Sequence, residues 1–220
     1  MHRLIIYCEG EAEEKFVNDI LYDYLLDEGI YVTPIIFATK RTPTKKFKGG
    51  GLSYDRIKNE LTRLCKNDTT ATVTTMIDYY ALPSNVPGIV TATGDAFDKV
   101  RHIEKAIEDD IRVPNLFVNL LLHEYESLLF SDTSAFKVIP TGSPEIIVKL
   151  QAIKENFASP EHINNSVETA PSKRIEALIP IYKKPLYGVT IAKQIGLNAI
   201  ASQCTHFNNW LSKISSIRST

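Results

Sequence analysis

Three apolar stretches of this chain finish on acid. Leu4-Ile5-Ile6-Tyr7-Cys8 runs into Glu9-Gly10-Glu11-Ala12-Glu13-Glu14, Met76-Ile77 into Asp78-Tyr79-Tyr80, and Leu120-Leu121-Leu122 into His123-Glu124-Tyr125-Glu126. Two carboxylates about 4 Å apart repel by roughly 4 kcal/mol at an effective dielectric near 20, so several at one sheet edge call for a cation among them. Oxygen ligands with no neighbouring cysteine suit a hard ion, Mg²⁺ or Mn²⁺, over zinc. Glu9, Glu13, Asp78, Glu124 and Glu126 are the candidate ligands, with Glu9, Asp78 and Glu126 expected to share one ion. Such ions hold substrate phosphates, and a pair of them stabilises the attacking and leaving oxygens of phosphodiester cleavage. Each piece also has a plainer reading: an acidic helix start at Glu11–Glu14, a turn residue at Asp78, a helix cap at Glu124-Tyr125-Glu126, a structural histidine at His123.

The elements that must position these acids follow from hydrophobic period. Leu4–Cys8 is too short and too evenly apolar for an amphipathic helix and reads as a buried strand. Phe16, Ile20, Leu21, Tyr24 and Leu25 then fall at helical spacing up to Gly29, and Tyr31–Phe37 is a second strand. Tyr54–Lys66 is helical, Thr72–Asp78 a third strand, and Ala81–Gly94 a loop rich in Pro and Gly. Asp95 caps a helix through Asp110, and Asn115–Leu122 is a fourth strand. Alternation of strand and helix predicts an α/β protein with an open, mostly parallel four-stranded sheet flanked by helices. Past Ser131 the strand signal fades into helical segments at Pro144–Phe157, Pro160–Val167, Ser172–Leu178, Thr190–Ala201 and His206–Ile214. The expected division is an α/β core over 1–131 and a helical C-terminal part over 132–220 packed on it. In open α/β sheets ligands gather beyond the carboxyl ends of the strands, which is where Glu9, Asp78 and the Glu124/Glu126 pair lie.

Bulk properties narrow the classes. The 220 residues are 44% hydrophobic, enough for a real core, and a formal charge of −1 excludes a uniformly basic nucleic-acid binder. Charge is nonetheless polarised along the chain. Residues 1–30 set Glu9, Glu11, Glu13, Glu14, Asp19, Asp23, Asp27 and Glu28 against Arg3 and Lys15. From Pro171 onward Lys173, Arg174, Lys183, Lys184, Lys193, Lys213 and Arg218 face Glu176. That polarity suits a metal-bearing face beside a phosphate-holding one, or simply two solvated surfaces of opposite sign. Cys8, Cys65 and Cys204 are widely spaced and read as buried thiols, neither a disulfide frame nor a zinc site. Met1-His2-Arg3 enters a strand at once, leaving no room for a signal peptide, and no apolar run is long enough for a bilayer. A cytoplasmic protein with no membrane contact is expected.

The acidic motifs resemble a known group. Glu9-Gly10-x-Ala12-Glu13 after a strand looks like the first signature of the Toprim fold, found in topoisomerases, primases and nucleases of the overcoming-lysogenization-defect type. Asp78 resembles the start of its second signature, Asp-x-Asp, with Tyr80 in place of the second acid. Tyr125-Glu126 resembles the Phe-Glu of RloB-like proteins. Most of the chain is similar to a bacterial Toprim-like family of unknown function (DUF family 4276). The likeness runs through Asp78-Tyr79-Tyr80-Ala81-Leu82-Pro83, His123-Glu124-Tyr125-Glu126-Ser127-Leu128-Leu129-Phe130, Pro171-Ser172-Lys173-Arg174-Ile175, Tyr182-Lys183-Lys184, Gly188 and Cys204-x-His206-Phe207-x-x-Trp210-Leu211. The resemblance implies a Toprim-like core, Mg²⁺- or Mn²⁺-dependent phosphodiester hydrolysis in DNA or RNA, and an effector role in bacterial defence beside an SMC-like AAA ATPase. It equally admits a non-catalytic adaptor that docks on such an ATPase, a reading favoured by Tyr80.

A nuclease also needs a cation near the scissile phosphate. Lys173, Arg174 and Lys183 lie in the motif-bearing basic segment, and Lys183 is the candidate catalytic lysine. Lys45, Lys46 and Lys48, beside Gly49-Gly50-Gly51, form with Lys173 and Arg174 the candidate phosphate-backbone contacts. The glycines are no P-loop, since no Gly-Lys-Ser/Thr follows. A receiver-type phosphoacceptor reading of Asp78 wants a lysine ending a late strand, which the sequence does not supply.

Overall fold

Side chains of a strand alternate between its two faces, and the first strand uses both. In β1 (His2–Cys8), Leu4, Ile6 and Cys8 enter one apolar cluster while Ile5 and Tyr7 meet another. A strand covered on both sides needs apolar residues at consecutive positions, which accounts for the unbroken run in the sequence. The computed structural model describes residues 1–36, 53–164 and 167–217. Its four-stranded sheet has the order β2-β1-β3-β4, with every neighbouring pair parallel. β2 spans Ile30–Ile36, β3 Ala71–Asp78 and β4 Leu120–Leu121.

On one face lie α3 (Tyr54–Asn67) and α4 (Ala96–Ile111), which contribute Ile57, Leu61, Val100, Ile103 and Ile107 to the core. The other face is covered by α1 (Glu11–Phe16) and α2 (Tyr22–Asp27), joined through a π-helical turn at Val17–Leu21, and by the C-terminal segments. Those segments comprise α5 (Pro144–Glu155), α6 (Pro171–Leu178), α7 (Val189–Ile195), α8 (Leu197–Gln203) and α9 (Thr205–Ser216). Leu4, Phe16 and Met76 share one cluster with Ile191, Phe207 and Trp210, so the late helices complete the core of the early strands. Trp210 Nε1 donates to Thr74 Oγ1 at 3.0 Å, fastening α9 to β3. The three cysteines are buried and unpaired, as expected. Among the described residues no helix is long and apolar enough to cross a membrane.

Three expectations need correction. The fourth strand is far shorter than 115–122: a single parallel bridge joins Val73 to Leu116, and regular pairing resumes only at Leu120. Between them the Thr75 hydroxyl stands in for backbone, donating to Asn119 O at 2.6 Å and accepting from Asn119 N at 2.9 Å. The Val118 and Leu120 amides go to the Glu108 and Glu104 carboxylates of α4 instead. The helix expected over 160–167 is only a 3₁₀ turn at Pro160–His162, with a second at Val167–Thr169. The helix expected over 190–201 is two, broken where Gly196 takes φ +84°, a left-handed angle that suits glycine at a helix end.

Candidate active site

The chain leaves β1 for β2 on one side and returns past β1 to place β3 on the other. The crevice beyond the carboxyl ends of β1 and β3 is therefore a topological switch point, where such sheets hold ligands. Glu9 and Asp78 stand at its two lips. Glu9 N donates to Met76 O at 3.1 Å, and the Glu9 carboxylate accepts from Asp78 N at 2.9 Å, so one strand end grips the other. Gly10 opens α1, and its N–H donates to Glu13 Oε2 at 3.0 Å, turning that buried carboxylate back toward the strand ends.

The third acidic end reaches the crevice through a strained bend. His123 has φ +65°, and Glu124 N donates to Leu122 O at 2.9 Å, closing a three-residue turn around it. Turns of this hand are rare and cost energy for a residue with a Cβ. Beyond the bend, Tyr125–Ser131 forms a fully buried 3₁₀ run, longer than such helices usually are. Asp78 Oδ1 accepts from Tyr125 N at 2.8 Å, which pins the start of this run to β3.

At the centre stands a lysine from the far end of the chain. Lys184 Nζ lies 2.9 Å from Glu13 Oε1, 2.8 Å from Asp78 Oδ2 and 3.5 Å from Glu126 Oε2. It opens a π-helical segment, Lys184–Gly188, a geometry that recurs at functional sites. Gly188 lets this segment close: a Cβ there would come 2.7 Å from Tyr182 Oη and 3.1 Å from Tyr125 Cε1. Tyr182 Oη in turn meets Glu126 Oε1 at a long 3.5 Å.

Charge in the crevice is not balanced by that single ammonium. Burial, then the neighbouring Asp78 charge, pushes Glu9 up to about 8, against the pull of Lys184. Burial raises Asp78 to about 6 and Glu126 to about 7, again with Lys184 opposing. Lys184 itself is held well above its ordinary range. Burial is the largest single influence and disfavours its charge, but Asp78, Glu126 and Glu13 together outweigh it. Glu13 Oε1 is buried, and its ion pair with Lys184 at 2.9 Å is not supplemented by a hydrogen bond. Among the described residues, burial and neighbouring acids thus outweigh the pull of Lys184 on Glu9, Asp78 and Glu126. This all-oxygen, under-neutralised donor set fits a hard divalent ion.

The expected site residues are placed differently from the expectation in several respects. The oxygens that share a cation belong to Glu13, Asp78 and Glu126, whereas Glu9 is occupied with the Asp78 backbone. Among the described residues no three acid, histidine or cysteine side chains already stand around an open metal position, and Lys184 Nζ takes the middle. Glu124 lies at the rim and accepts from Ser172 N, in the first turn of α6, at 3.0 Å. The central lysine is Lys184 and not Lys183, which is exposed. Lys183 has extended backbone angles, so adjacent side chains diverge there, and spacing alone could not say which one turns inward.

Lys173 is exposed and paired with Glu176 at 2.7 Å. Arg174 donates from Nε to Thr169 O at 2.7 Å, and its guanidinium lies 5.2 Å from the Phe157 ring centre, which makes it part of the local packing. Lys45, Lys46 and Lys48 lie outside the described residues.

Fold and site together define a parallel α/β protein with a carboxylate-rich crevice at its switch point, closed by a lysine from a helical C-terminal part. The chain belongs to the family described as "Domain of unknown function (DUF4276)", whose model matches residues 8–215. No curated protein matches the sequence. Among solved structures it is similar to the C-terminal region of the Xanthomonas campestris pv. campestris OLD protein phased with platinum. That match has 16% identity and a TM-score of 0.40, covering 96% of this chain and 94% of the other. The same region phased with mercury matches at 15% identity and a TM-score of 0.38, covering 96% and 97%.

Proposed function

We propose that this protein is a Toprim-type, Mg²⁺- or Mn²⁺-dependent phosphodiesterase acting on nucleic acid, with 1–131 as its α/β core and 132–220 as a helical part that completes the site. One observation carries this reading: Glu13, Asp78 and Glu126 meet a single ammonium, Glu9 grips the Asp78 backbone beside them, and Glu9, Asp78 and Glu126 have pKa values raised by burial and neighbouring negative charge. Glu13, Asp78 and Glu126 would hold the ion, with Glu9 fixing Asp78 through its backbone. A bound divalent ion supplies Lewis-acid polarisation of a phosphoryl oxygen and a more acidic water.

The chain's own groups do the rest. Lys184 offers a fixed positive charge toward the oxygens of a bound phosphate. Glu124, at the rim, is placed to accept a proton from an entering water. Glu126, with its pKa near 7, can hold or release a proton at working pH. The resemblance to Toprim effectors makes an SMC-like AAA ATPase the proposed partner and the cytoplasm the proposed location. The test is calorimetric titration with Mn²⁺ alongside cleavage of plasmid, single-stranded DNA and tRNA, in the native protein and in Asp78→Asn and Glu126→Gln. A Mn²⁺ site and cleavage that both substitutions abolish support the reading. Identical behaviour of all three proteins sinks it.

A second reading rests on Lys184 itself. An ammonium already seated among three carboxylates also describes an internal ion cluster that holds the C-terminal part on the sheet of a non-catalytic adaptor. That version predicts no Mn²⁺ heat and no cleavage, with normal folding.

A further inference from the structure

Three rings stand in a row beside the carboxylates. Tyr79 and Tyr80 follow Asp78 directly, with ring centres 5.8 Å apart and planes inclined by 31°. Tyr80 then meets the His123 ring at 5.2 Å and 42°, and His123 immediately precedes Glu124. Backbone fastens the same pair, since Tyr80 N donates to His123 O at 3.2 Å. The row is thus clamped between two of the acidic strand ends.

Its members are not equivalent. Tyr79 packs against the core under α3 and α4. His123 is buried, and its Nδ1 lies 3.2 Å from Asn164 Nδ2, which makes Nδ1 the acceptor. Burial, helped by His162, lowers its pKa to about 4, so the ring is neutral. Tyr80 is half-buried and enters neither apolar core. Burial and the nearby Tyr79 and Glu124 keep its hydroxyl protonated. An uncharged, half-buried ring outside both apolar cores, braced by two others at the lip of the crevice, can serve as a stacking platform. Around a cluster this acidic, a neutral contact can hold a polyanion without adding repulsion.

We propose that Tyr80, braced by Tyr79 and His123, stacks an unpaired nucleobase beside the carboxylate crevice, so that the preferred ligand is single-stranded nucleic acid. The proposal rests on the phosphodiesterase reading for its substrate and gives the tyrosine at the second Asp-x-Asp position a use. Bases inside a duplex already have both faces covered, so only an unpaired or extruded base can reach such a ring.

Fluorescence anisotropy with labelled homothymidine and homouridine strands, each beside its duplex and measured in EDTA and in Ca²⁺, tests it and separates DNA from RNA. The native protein should prefer the single strands. Tyr80→Phe should bind like the native protein, while Tyr80→Leu should bind about 5- to 150-fold more weakly, the range set by loss of one stacked base. Thermal melting of each variant checks the fold. Should Tyr80→Leu fail to fold, the native protein with a strand of abasic nucleotides replaces it, and weak binding is expected. Native-like binding by folded Tyr80→Leu, equal affinity for abasic strands, or equal or tighter binding of duplex each overturns the proposal. Tyr80-dependent strand binding without Mn²⁺ uptake or cleavage would defeat the phosphodiesterase reading and leave the platform standing. Cleavage indifferent to Tyr80→Leu would do the reverse.

Discussion

Two buried polar clusters tie the C-terminal segments to the sheet, and they are built on opposite principles. At the start of α9 both oxygens of the buried Glu161 carboxylate have partners. Glu161 accepts from His206 N and Phe207 N at 2.9 Å each, one bond per oxygen, satisfying amides that the start of a helix leaves open. Glu104 Oε1 receives Leu120 N at 2.7 Å and sits 3.0 Å from His206 Nε2, which also lies 3.0 Å from Leu120 O. Burial pulls the His206 pKa down, but the Glu104 bond and charge, with Glu161, raise it on balance. Burial raises the Glu161 carboxyl as well, but at the crevice three carboxylates share one ammonium, and neighbouring acids add to burial in raising Glu9, Asp78 and Glu126. Buried acid that is satisfied serves as architecture, whereas acids crowded around a shared ammonium are where the proposed ion would sit.

The sharpest way to break this contrast is Lys184→Met. Removing the one cation should cost the metal-free protein about 3–5 kcal/mol in urea unfolding, the scale for orphaning buried charge. Mn²⁺ should restore much of that loss and bind more tightly than to the native protein. A variant as stable as the native one and indifferent to Mn²⁺ would erase the distinction.

Glu161→Ala is the matching change at the satisfied cluster. It removes two charge-assisted bonds from α9 and should cost about 2–3 kcal/mol, and Mn²⁺ should not rescue it beyond its effect on the native protein. Rescue there would mean that metal stabilises the whole molecule without regard to site.

Acidity offers a gentler probe. The folded crevice holds more protons than the unfolded chain, because Glu9, Asp78 and Glu126 have raised pKa values. The crevice's share of the metal-free protein's stability should therefore fall as pH rises from the ordinary carboxylate range to about 8 and then level off, while His123, with its pKa lowered to about 4, works in the opposite direction below the ordinary histidine range. His206 contributes in the same direction as the crevice, since its stabilisation is present at low pH and lost as pH rises through its raised pKa. Glu9→Gln or saturating Mn²⁺ should flatten the crevice's share of the slope and leave the histidines'. An unchanged slope would assign the pH dependence to α9.

The smallest effect belongs to exposed Lys173, paired with Glu176 at the surface. Lys173→Ala should leave the unfolding midpoint where it was. If that lysine touches a phosphate, the variant lowers the salt dependence of nucleic-acid binding by about one ion.

β1 was legible because it is buried on both faces and carries the unbroken apolar run Leu4–Cys8, and β3 because its threonines, Val73 and Ile77 are β-branched. Helices α3 and α4 were legible because their inward stripes are spaced at 3.6 residues. The end of the sheet was not, because Thr75, Glu104 and Glu108 replace ladder bonds with side-chain bonds that no period records. The acids of the crevice could be picked out because each closes an apolar run. Their grouping could not: the Gly10–Glu13 bond swings Glu13 inward while Glu9 turns to the Asp78 backbone. Choosing Lys184 over Lys183 depended on a π-helical turn that spacing does not announce. The bend at His123 left no compositional trace at all.

The bare α-carbon of Gly188 makes a charged centre dependent on a spot that carries no charge. One added methyl would crowd the Tyr182 hydroxyl and the Tyr125 ring, which pack beside Glu126 and Lys184. The damage would read in an assay as a missing acid or base, although every ionisable group remained in the chain. A lesion of that kind is invisible to any inventory of polar residues, because what it alters is the silhouette of the main chain.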